Sequence, residues 1–251
     1  MAKPKGLRRV RAEGRALQRR ASLPKERDPV ELPMYTLGEV AHHLHIPRAT
    51  LRSWAEGRDY IVSGKRRHAA KILSRPNSED ERWSFLNLVE AHVLRALRVK
   101  HGVPMPLVRR AVAYAEEEFG IDRLLISDQL EAAPGEMFLR EYGRLTSLTH
   151  SGQFAMEVVL RKFLHRLTRD VRGLPMRLYP FISPNAYDDR RVIVIDPRLS
   201  YGRPSIASRA ISTAILAERV NAGEKIQELA ESYGLDSADV EEAIVFEGIA
   251  A

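Results

Sequence analysis

Residues 33–56 are the stretch that most restricts the fold, because they predict two short helices joined by a tight turn. Thr36 is a candidate N-cap with Glu39 three residues later, which is the spacing of a capping box. Apolar residues then recur at helical spacing at Leu37, Val40, Ala41 and Leu44. His45-Ile46-Pro47 forms the predicted turn, and Pro47 fits the start of the second helix.

The second of these helices combines apolar contacts with polar side chains that are free to point outward. Ala49, Leu51 and Trp54 supply the apolar contacts. The outward-facing side chains are those of Arg48, Thr50, Arg52 and Ser53. Arginine can read guanine through two hydrogen bonds, and Thr or Ser can contact phosphate or a thymine methyl group. The pattern therefore predicts a helix-turn-helix whose second helix enters a DNA major groove about 12 Å wide, with a generic helical hairpin as the alternative.

A small β-hairpin is predicted directly after the helix-turn-helix. Tyr60-Ile61-Val62 is β-prone, Ser63-Gly64 is a turn signal, and three cations follow. A hairpin in this position, or wing, would place Lys65, Arg66 and Arg67 against phosphates or in the flanking minor groove. Residues 74–82 then break the pattern and are expected to act as a linker.

The distribution of charge also separates the first third of the chain from the rest. The formal net charge is +7. Residues 1–75 hold 18 Lys and Arg against 7 Asp and Glu, a net of +11, whereas residues 76–251 hold 22 against 26, a net of −4. A basic segment attracts polyphosphate and releases condensed counterions on binding. The asymmetry favours nucleic-acid binding by the first third, with a solvated arginine-rich surface as the alternative.

Composition excludes several classes of site. The chain has no cysteine, so it has no disulfide framework, iron–sulfur cluster, thiolate zinc site or cysteine nucleophile. No uninterrupted apolar run approaches about 18 residues, and the N-terminus lacks the apolar core of a secretory signal. His92 and Glu90 are expected to lie on the solvated face of an amphipathic helix rather than to bind a metal ion. We therefore expect a cytoplasmic protein with no metal and no cofactor.

The remaining periodicity predicts a mainly α fold with small β-hairpins (α+β). Its expected parts are a basic flexible arm (1–32), the winged helix-turn-helix (33–75), a helical pair (76–120), a mixed α/β middle region (121–190) and a second helix-turn-helix-like unit (191–251). The helical pair comprises Trp83–Lys100 and Pro106–Phe119. In the middle region we expect short strands at 124–126, 136–139 and 145–148, and a helix at Gln153–Leu167.

The last unit has the outline of a DNA-binding motif but the wrong charge for one. Residues 224–251 contain eight acidic residues, and Lys225 is their only base. Because phosphate would repel such a helix pair, we interpret this unit as an oligomerisation or protein-docking module. Its predicted contact residues are Val240, Ile244, Val245 and Phe246, although Val245-Phe246 is also interpretable as the end of the core.

The order of these parts resembles the longer VapB-type antitoxins, which are encoded beside PIN-domain VapC ribonucleases. Residues 35–73 look like a MerR-type winged helix-turn-helix, and residues 83–119 resemble the two helices that follow it in that superfamily. The stretches Val194-Ile195-Asp196-Pro197 and Gly202-Arg203-Pro204 are similar to a small antitoxin-associated domain of unknown function. One departure is Ala207-Ser208-Arg209, where that domain usually has Gly, then Thr or Ser, then Arg.

This resemblance implies a homodimer that binds double-stranded operator DNA, neutralises a cognate PIN-domain toxin, represses its own operon and is not an enzyme. The DNA-facing positions that it implies are Arg48, Thr50, Arg52, Ser53, Arg58, Lys65, Arg66 and Arg67.

The same residues leave two other functions open. One is a stand-alone MerR-like transcriptional regulator whose middle region binds a small ligand and which has no toxin partner. The other is an enzyme acting on nucleic acid through the clustered acids Asp188, Asp189 and Asp196, although Asp196-Pro197 is more simply a turn.

Overall fold

The computed structural model describes residues 28–76, 81–99, 105–131, 138, 150–181 and 190–248. Within these ranges the chain forms eight α-helices and three small antiparallel sheets, so the predicted mainly α fold with small β-hairpins is confirmed. No helix in these ranges is both long and apolar enough to cross a membrane. Most of the predicted basic arm lies outside the described residues, as do Asp188 and Asp189.

The predicted pair of short helices is present as α1 (Leu37–Leu44) and α2 (Arg48–Glu56). The capping box is formed. The Thr36 hydroxyl accepts a hydrogen bond from the Glu39 N–H at 3.2 Å, and the Glu39 carboxylate accepts one from the Thr36 N–H at 2.7 Å. These bonds satisfy N–H groups that the start of a helix cannot pair internally. His45 then ends α1 in a left-handed conformation (φ 51°), which turns the chain toward α2.

The predicted wing is also present, as β1 (Arg58–Val62) paired antiparallel with β2 (Lys65–Ala69). The connecting residues Ser63 and Gly64 both have positive φ, 50° and 74°. A two-residue turn with this backbone matches the twist of the strands that it joins. The turn fixes the register of the two strands, and the register decides which side chains share a face.

One hydrophobic core joins the helix-turn-helix to the middle of the chain and includes residues from Val30 to Ile195. The middle elements are α3 (Phe85–Val99), α4 (Met105–Phe119), α5 (His150–Leu164), β3 (Leu167–Arg169) and β4 (Pro175–Leu178). Helix α3 lies at the centre of this core, where it contacts both α1 and α5. The helix-turn-helix is therefore built on the same core as the helices that follow it.

Two expectations for the middle of the chain are wrong. His92 and Glu90 are only 1% and 5% exposed, because α3 is enclosed on nearly all sides. His92 bonds a backbone carbonyl of α5 at 3.1 Å, and Glu90 pairs with Arg123 at 2.8 Å. Leu124–Ile126 forms a 3-10 turn against α3 instead of a strand, since a short apolar run is buried equally well in either conformation. Of the other two predicted strands, the described residues include only Phe138, which is helical.

The C-terminal unit is a small three-stranded antiparallel sheet followed by three helices. Its elements are β5 (Ile193–Val194), β6 (Ser205–Ile206), β7 (Ile211–Ser212), α6 (Thr213–Asn221), α7 (Ile226–Tyr233) and α8 (Ser237–Gly248). Gly234 (φ 63°) ends α7 in the left-handed conformation that glycine adopts without strain. The chain then reverses, and α8 packs against α6 and α7.

The end of α8 also packs against α1 of the helix-turn-helix. The buried Phe246 ring lies with its centroid 5.5–6.5 Å from three histidine rings, those of His42, His43 and His45. The next residue, Glu247, lies 2.9 Å from His42 Nε2 and accepts a hydrogen bond from the Thr213 hydroxyl. Burial raises the pKa of Glu247, but these hydrogen bonds outweigh it and hold the pKa below its usual value. The helix-turn-helix and the C-terminal unit therefore share an interface.

Candidate nucleic-acid interface

Helix α2 is anchored by a buried apolar face and presents two arginines away from it. Trp54 is 1% exposed, whereas Arg48 and Arg52 are exposed and lie one helical turn apart. Ser53 is half-buried, and its hydroxyl donates to the Thr50 carbonyl oxygen at 2.8 Å. The two arginines are therefore available to a base edge or a phosphate, while Ser53 is already engaged within its own helix.

Arg48 lies over the first turn of α1. A Cβ atom added at Gly38 would lie 2.7 Å from Arg48 Nη2, so the glycine makes room for the guanidinium group. The capping box of Thr36 and Glu39 occupies this helix start, so the free charge here is that of the exposed Arg48 guanidinium group. A guanidinium group can bind an anionic partner such as a DNA phosphate. Ala49, which we expected to make an apolar contact, is exposed instead.

One face of the wing carries exposed cations. The strand register and the alternation of side chains put Lys65 and Arg67 on the same face as Arg58 and Tyr60. Lys65, Arg67 and Arg58 are all exposed. This face carries Lys65 and Arg67, two of the three cations predicted for the wing, whereas Arg66 lies on the opposite face.

Arg66 differs from the other cations of the wing, because it is paired. Asp59 lies with Arg66 on the face of the wing opposite to Lys65 and Arg67. Its carboxylate accepts a hydrogen bond from Arg66 Nε at 3.0 Å and lies 2.8 Å from His68 Nδ1. The hydrogen bond with His68, followed by the one with Arg66, lowers the pKa of Asp59. Sequence analysis missed this acid, although a two-residue turn at 63–64 places positions 59 and 66 on one face.

Arg109 on α4 is a further cation beside the wing that the sequence analysis did not single out. Its Nε and Nη1 atoms are buried and have no hydrogen-bond partner among the described residues. Burial lowers the pKa of Arg109, and the nearby charge of Arg58 lowers it further. The predicted helix at Pro106–Phe119 was interpreted only as a packing element, and nothing local in its sequence places Arg109 next to the wing.

The linker predicted at 74–82 continues the basic surface beyond α2. Arg75 and Arg82 line a cleft of about 410 Å³ together with Arg52. Glu56 and Glu81 line the same cleft, so its charge is mixed. The linker thus contributes arginines next to the second helix of the helix-turn-helix, although we expected it only to connect.

The residues predicted to contact a partner are placed in two different environments. Val240 and Phe246 are 0% exposed, because α8 packs against α6 and its end packs against α1. Neither side chain is presented to a partner in this conformation. Ile244 is half-buried, and Val245 is 49% exposed. For Phe246, the alternative role as the end of the core agrees with its burial.

Asp196, the described member of the acid cluster, has a structural position. It is 3% exposed, accepts a hydrogen bond from Arg177 Nε at 2.8 Å, and caps a turn by accepting from the Arg198 N–H at 2.9 Å. This is the turn that Asp196-Pro197 predicts. Across the described ranges, no group of three or more His, Asp or Glu side chains is arranged to hold a metal ion.

Two families match parts of the chain. Residues 33–112, which span α1 to the middle of α4, match the family described as “Putative DNA-binding HTH domain”. Residues 193–246, which span most of the C-terminal unit, match the family “Protein of unknown function (DUF433)”. The first match agrees with the helix-turn-helix predicted from residues 33–56. The finer resemblance to MerR-type proteins stays a prediction.

A protein sequence and a crystal structure from Mycobacterium tuberculosis are each similar to this chain over most of their length. “Putative antitoxin VapB45” (strain ATCC 25618 / H37Rv) is 27% identical over 235 residues, which cover 85% of this chain and 93% of that protein. The X-ray crystal structure of Rv2018 has a TM-score of 0.61 at 23% identity, covering 85% of this chain and 98% of that chain. The second likeness shows a common fold. With the two family matches, the similarity to the putative antitoxin confirms the predicted resemblance to VapB-type antitoxins.

Proposed function

Because this chain resembles the VapB-type antitoxins, we propose that it is a cytoplasmic DNA-binding antitoxin without enzymatic activity of its own. It neutralises a PIN-domain ribonuclease encoded beside it and represses the operon that encodes both. The DNA-binding part of this proposal rests on the exposed cations of α2 and the wing, which lie inside a region that matches a family described as a putative DNA-binding helix-turn-helix domain.

DNA binding by this surface divides between base contacts and phosphate contacts. Arg48 and Arg52 on α2 enter the major groove, while Lys65 and Arg67 on the wing meet flanking phosphates. Each neutralised phosphate adds about 0.9 to the steepness with which log affinity falls with log salt concentration. In a homodimer, two such surfaces would read half-sites about 34–36 Å apart.

The toxin half of the proposal is supported by the resemblance and by the charge of the C-terminal unit. The eight acidic residues of 224–251 keep this unit off the duplex, which leaves it available for a polypeptide. PIN-domain active sites hold divalent metal ions with clustered carboxylates. An arginine of the antitoxin that enters such a site would displace the metal ion and compete for its ligands.

The DNA half is tested with the full chain and a duplex from upstream of its own operon, by fluorescence anisotropy. Arg52→Ala should cost about 1–3 kcal/mol of specific binding, because it removes a base contact. Lys162→Ala removes an exposed cation of α5 and serves as the matched control, with affinity unchanged within twofold. If Arg52→Ala binds the operator like wild type at low and high salt, α2 is not the recognition helix.

The toxin half is tested by co-expression with the neighbouring reading frame. The proposal expects a stable complex of the two purified proteins and loss of the partner's ribonuclease activity on a model RNA when the chain is added. A chain that represses its promoter but neither binds nor inhibits the neighbouring gene product would instead be a stand-alone regulator.

A further inference from the structure

The loop between β5 and β6 holds an exposed tyrosine in a backbone conformation that tyrosine rarely adopts. Ser200, Tyr201 and Gly202 have positive φ values of 48°, 54° and 73°. Only glycine adopts this region without strain. The Tyr201 side chain is 90% exposed, so the core gains little from it in return. Strained residues of this kind are often found at binding sites.

The surrounding structure holds this loop in place. Gly202 is buried against the start of the helix-turn-helix, and a Cβ atom there would collide with the Tyr35 hydroxyl. On the other side of the loop, the Ser200 hydroxyl donates to the Ala210 carbonyl oxygen at 3.1 Å. The backbone of Tyr201 is therefore ordered before any partner binds, which reduces the entropy lost on association.

This loop also lies in a basic stretch of an acidic unit. Residues 198–209 contain three arginines and no acidic residue, whereas residues 210–248 contain two basic and nine acidic residues. Two of the three arginines have partners within the chain: Arg198 lies 3.2 Å from Asp28, and Arg209 donates to a backbone carbonyl at 3.2 Å. The third, Arg203, is exposed two residues after Tyr201.

We propose that Tyr201 and Arg203 form the anchor by which this chain docks into an acidic cleft of a partner protein. The inference rests on the proposed function, in which that partner is the ribonuclease encoded beside the chain. Tyrosine and arginine are enriched among the residues that dominate binding energy at protein interfaces. Tyrosine supplies apolar area at low entropy cost, and the planar guanidinium of arginine pairs with carboxylates through two hydrogen bonds.

The charge of the same unit favours an acidic protein over DNA as the occupant. The unit that contains this loop has nine acidic and two basic residues over 210–248, a balance that disfavours the extended row of phosphates of a duplex. A protein cleft presents its negative charge locally, so one arginine and its neighbouring tyrosine can reach it without that repulsion.

The test measures binding of the full chain to the purified product of the neighbouring reading frame by biolayer interferometry. Tyr201→Gly should weaken binding about 30-fold, because it removes the aromatic anchor, and Arg203→Glu should weaken it to a similar extent. Two controls change exposed side chains elsewhere and should alter binding by less than twofold. Val171→Ala shortens an apolar side chain that is 105% exposed, and Lys162→Glu reverses an exposed charge on α5.

A second measurement separates binding from folding. Because glycine tolerates positive φ, Tyr201→Gly should not lower the thermal midpoint of unfolding even though it weakens partner binding. A lowered midpoint would show that Tyr201 serves the fold, and would overturn the inference. So would wild-type partner binding by both loop variants, which would leave the proposed function intact.

DNA or a second copy of the chain, if either contacted this loop instead, would give a different result, and each of these results would overturn the inference. Loss of operator affinity in Arg203→Glu, with partner binding unchanged, would assign the loop to DNA. Dissociation of the homodimer by either loop variant, seen by light scattering, would assign it to a second copy of the chain. Failure of the wild-type chain to bind the neighbouring product would refute the toxin half of the proposed function, and the inference with it.

Discussion

Two buried histidines should make the stability of this fold sensitive to acid. Burial lowers the pKa of His43 from 6.5 to about 4 and that of His92 from 6.5 to about 3. Each histidine binds a proton more weakly in the folded chain than in the unfolded chain. Each therefore contributes its full stabilisation above pH 6.5 and loses it as the pH falls toward the folded value. Between about pH 6.5 and pH 4.5, the loss is about 2 kcal/mol per histidine.

Urea unfolding at pH 7 and pH 4.5 tests this for His92 with the variant His92→Gln. Glutamine can still donate a hydrogen bond to the Phe163 carbonyl oxygen, which lies 3.1 Å from His92 Nε2, but it does not titrate. The free energy of unfolding should therefore fall by about 2.5 kcal/mol less in the variant than in wild type. His165→Gln replaces an exposed histidine and is the control. Identical pH dependence in His92→Gln and wild type would refute the argument, because acidic residues titrate equally in both.

Phe246→Ala should lower the free energy of unfolding by about 3–5 kcal/mol and weaken operator binding, because it leaves a cavity between α8 and α1. In the same urea titration, Val245→Ala should change the free energy of unfolding by less than about 0.5 kcal/mol, because Val245 is 49% exposed. Gly38→Ala should leave the free energy of unfolding unchanged or raise it by up to about 1 kcal/mol, and the added methyl group should displace the Arg48 side chain. Unchanged operator affinity in this variant would show that Arg48 does not contact the operator. Arg67→Ala should reduce the salt slope of operator binding by about 0.9 with no change in the thermal midpoint, and a wild-type slope would mean that it meets no phosphate.

The features that could be predicted from the sequence are those whose causes lie within a few residues. The capping box between Thr36 and Glu39 and the turn at Ser63-Gly64 are both local, and both are present. Helical periodicity likewise located α3 and α4 to within two residues at each end. The helix predicted at Gln153–Leu167 runs from His150 to Leu164, because periodicity defines a buried face better than it defines an end.

The features that could not be predicted depend on residues far apart in the sequence. The position of Arg109 beside the wing depends on how α4 packs, and the burial of His92 depends on how Phe163 of α5 and Phe181 pack against α3. Phe246 gave the clearest case: its apolar side chain near the end of an acidic helix is consistent with either a partner contact or a core contact. Only the position of α1 decides between them. The pairing of Arg66 with Asp59 lies between these two cases in predictability, because it can be predicted once the register of the wing is known.

The split in charge predicts that the first third of the chain binds DNA and that the acidic end binds a polypeptide, but the structure connects the two. Helix α1 packs on α2 and is itself contacted by Phe246 and Glu247 at the end of α8. A partner that moved α8 relative to α1 would therefore change the support of the helix that carries Arg48 and Arg52. By thermodynamic linkage, operator DNA would then change the affinity for that partner by the same factor that the partner changes the affinity for DNA. A partner that binds without moving α8 would leave operator affinity unchanged. Loss of the His42–Glu247 contact on partner binding would therefore mark coupled binding, and its persistence would mark independent binding.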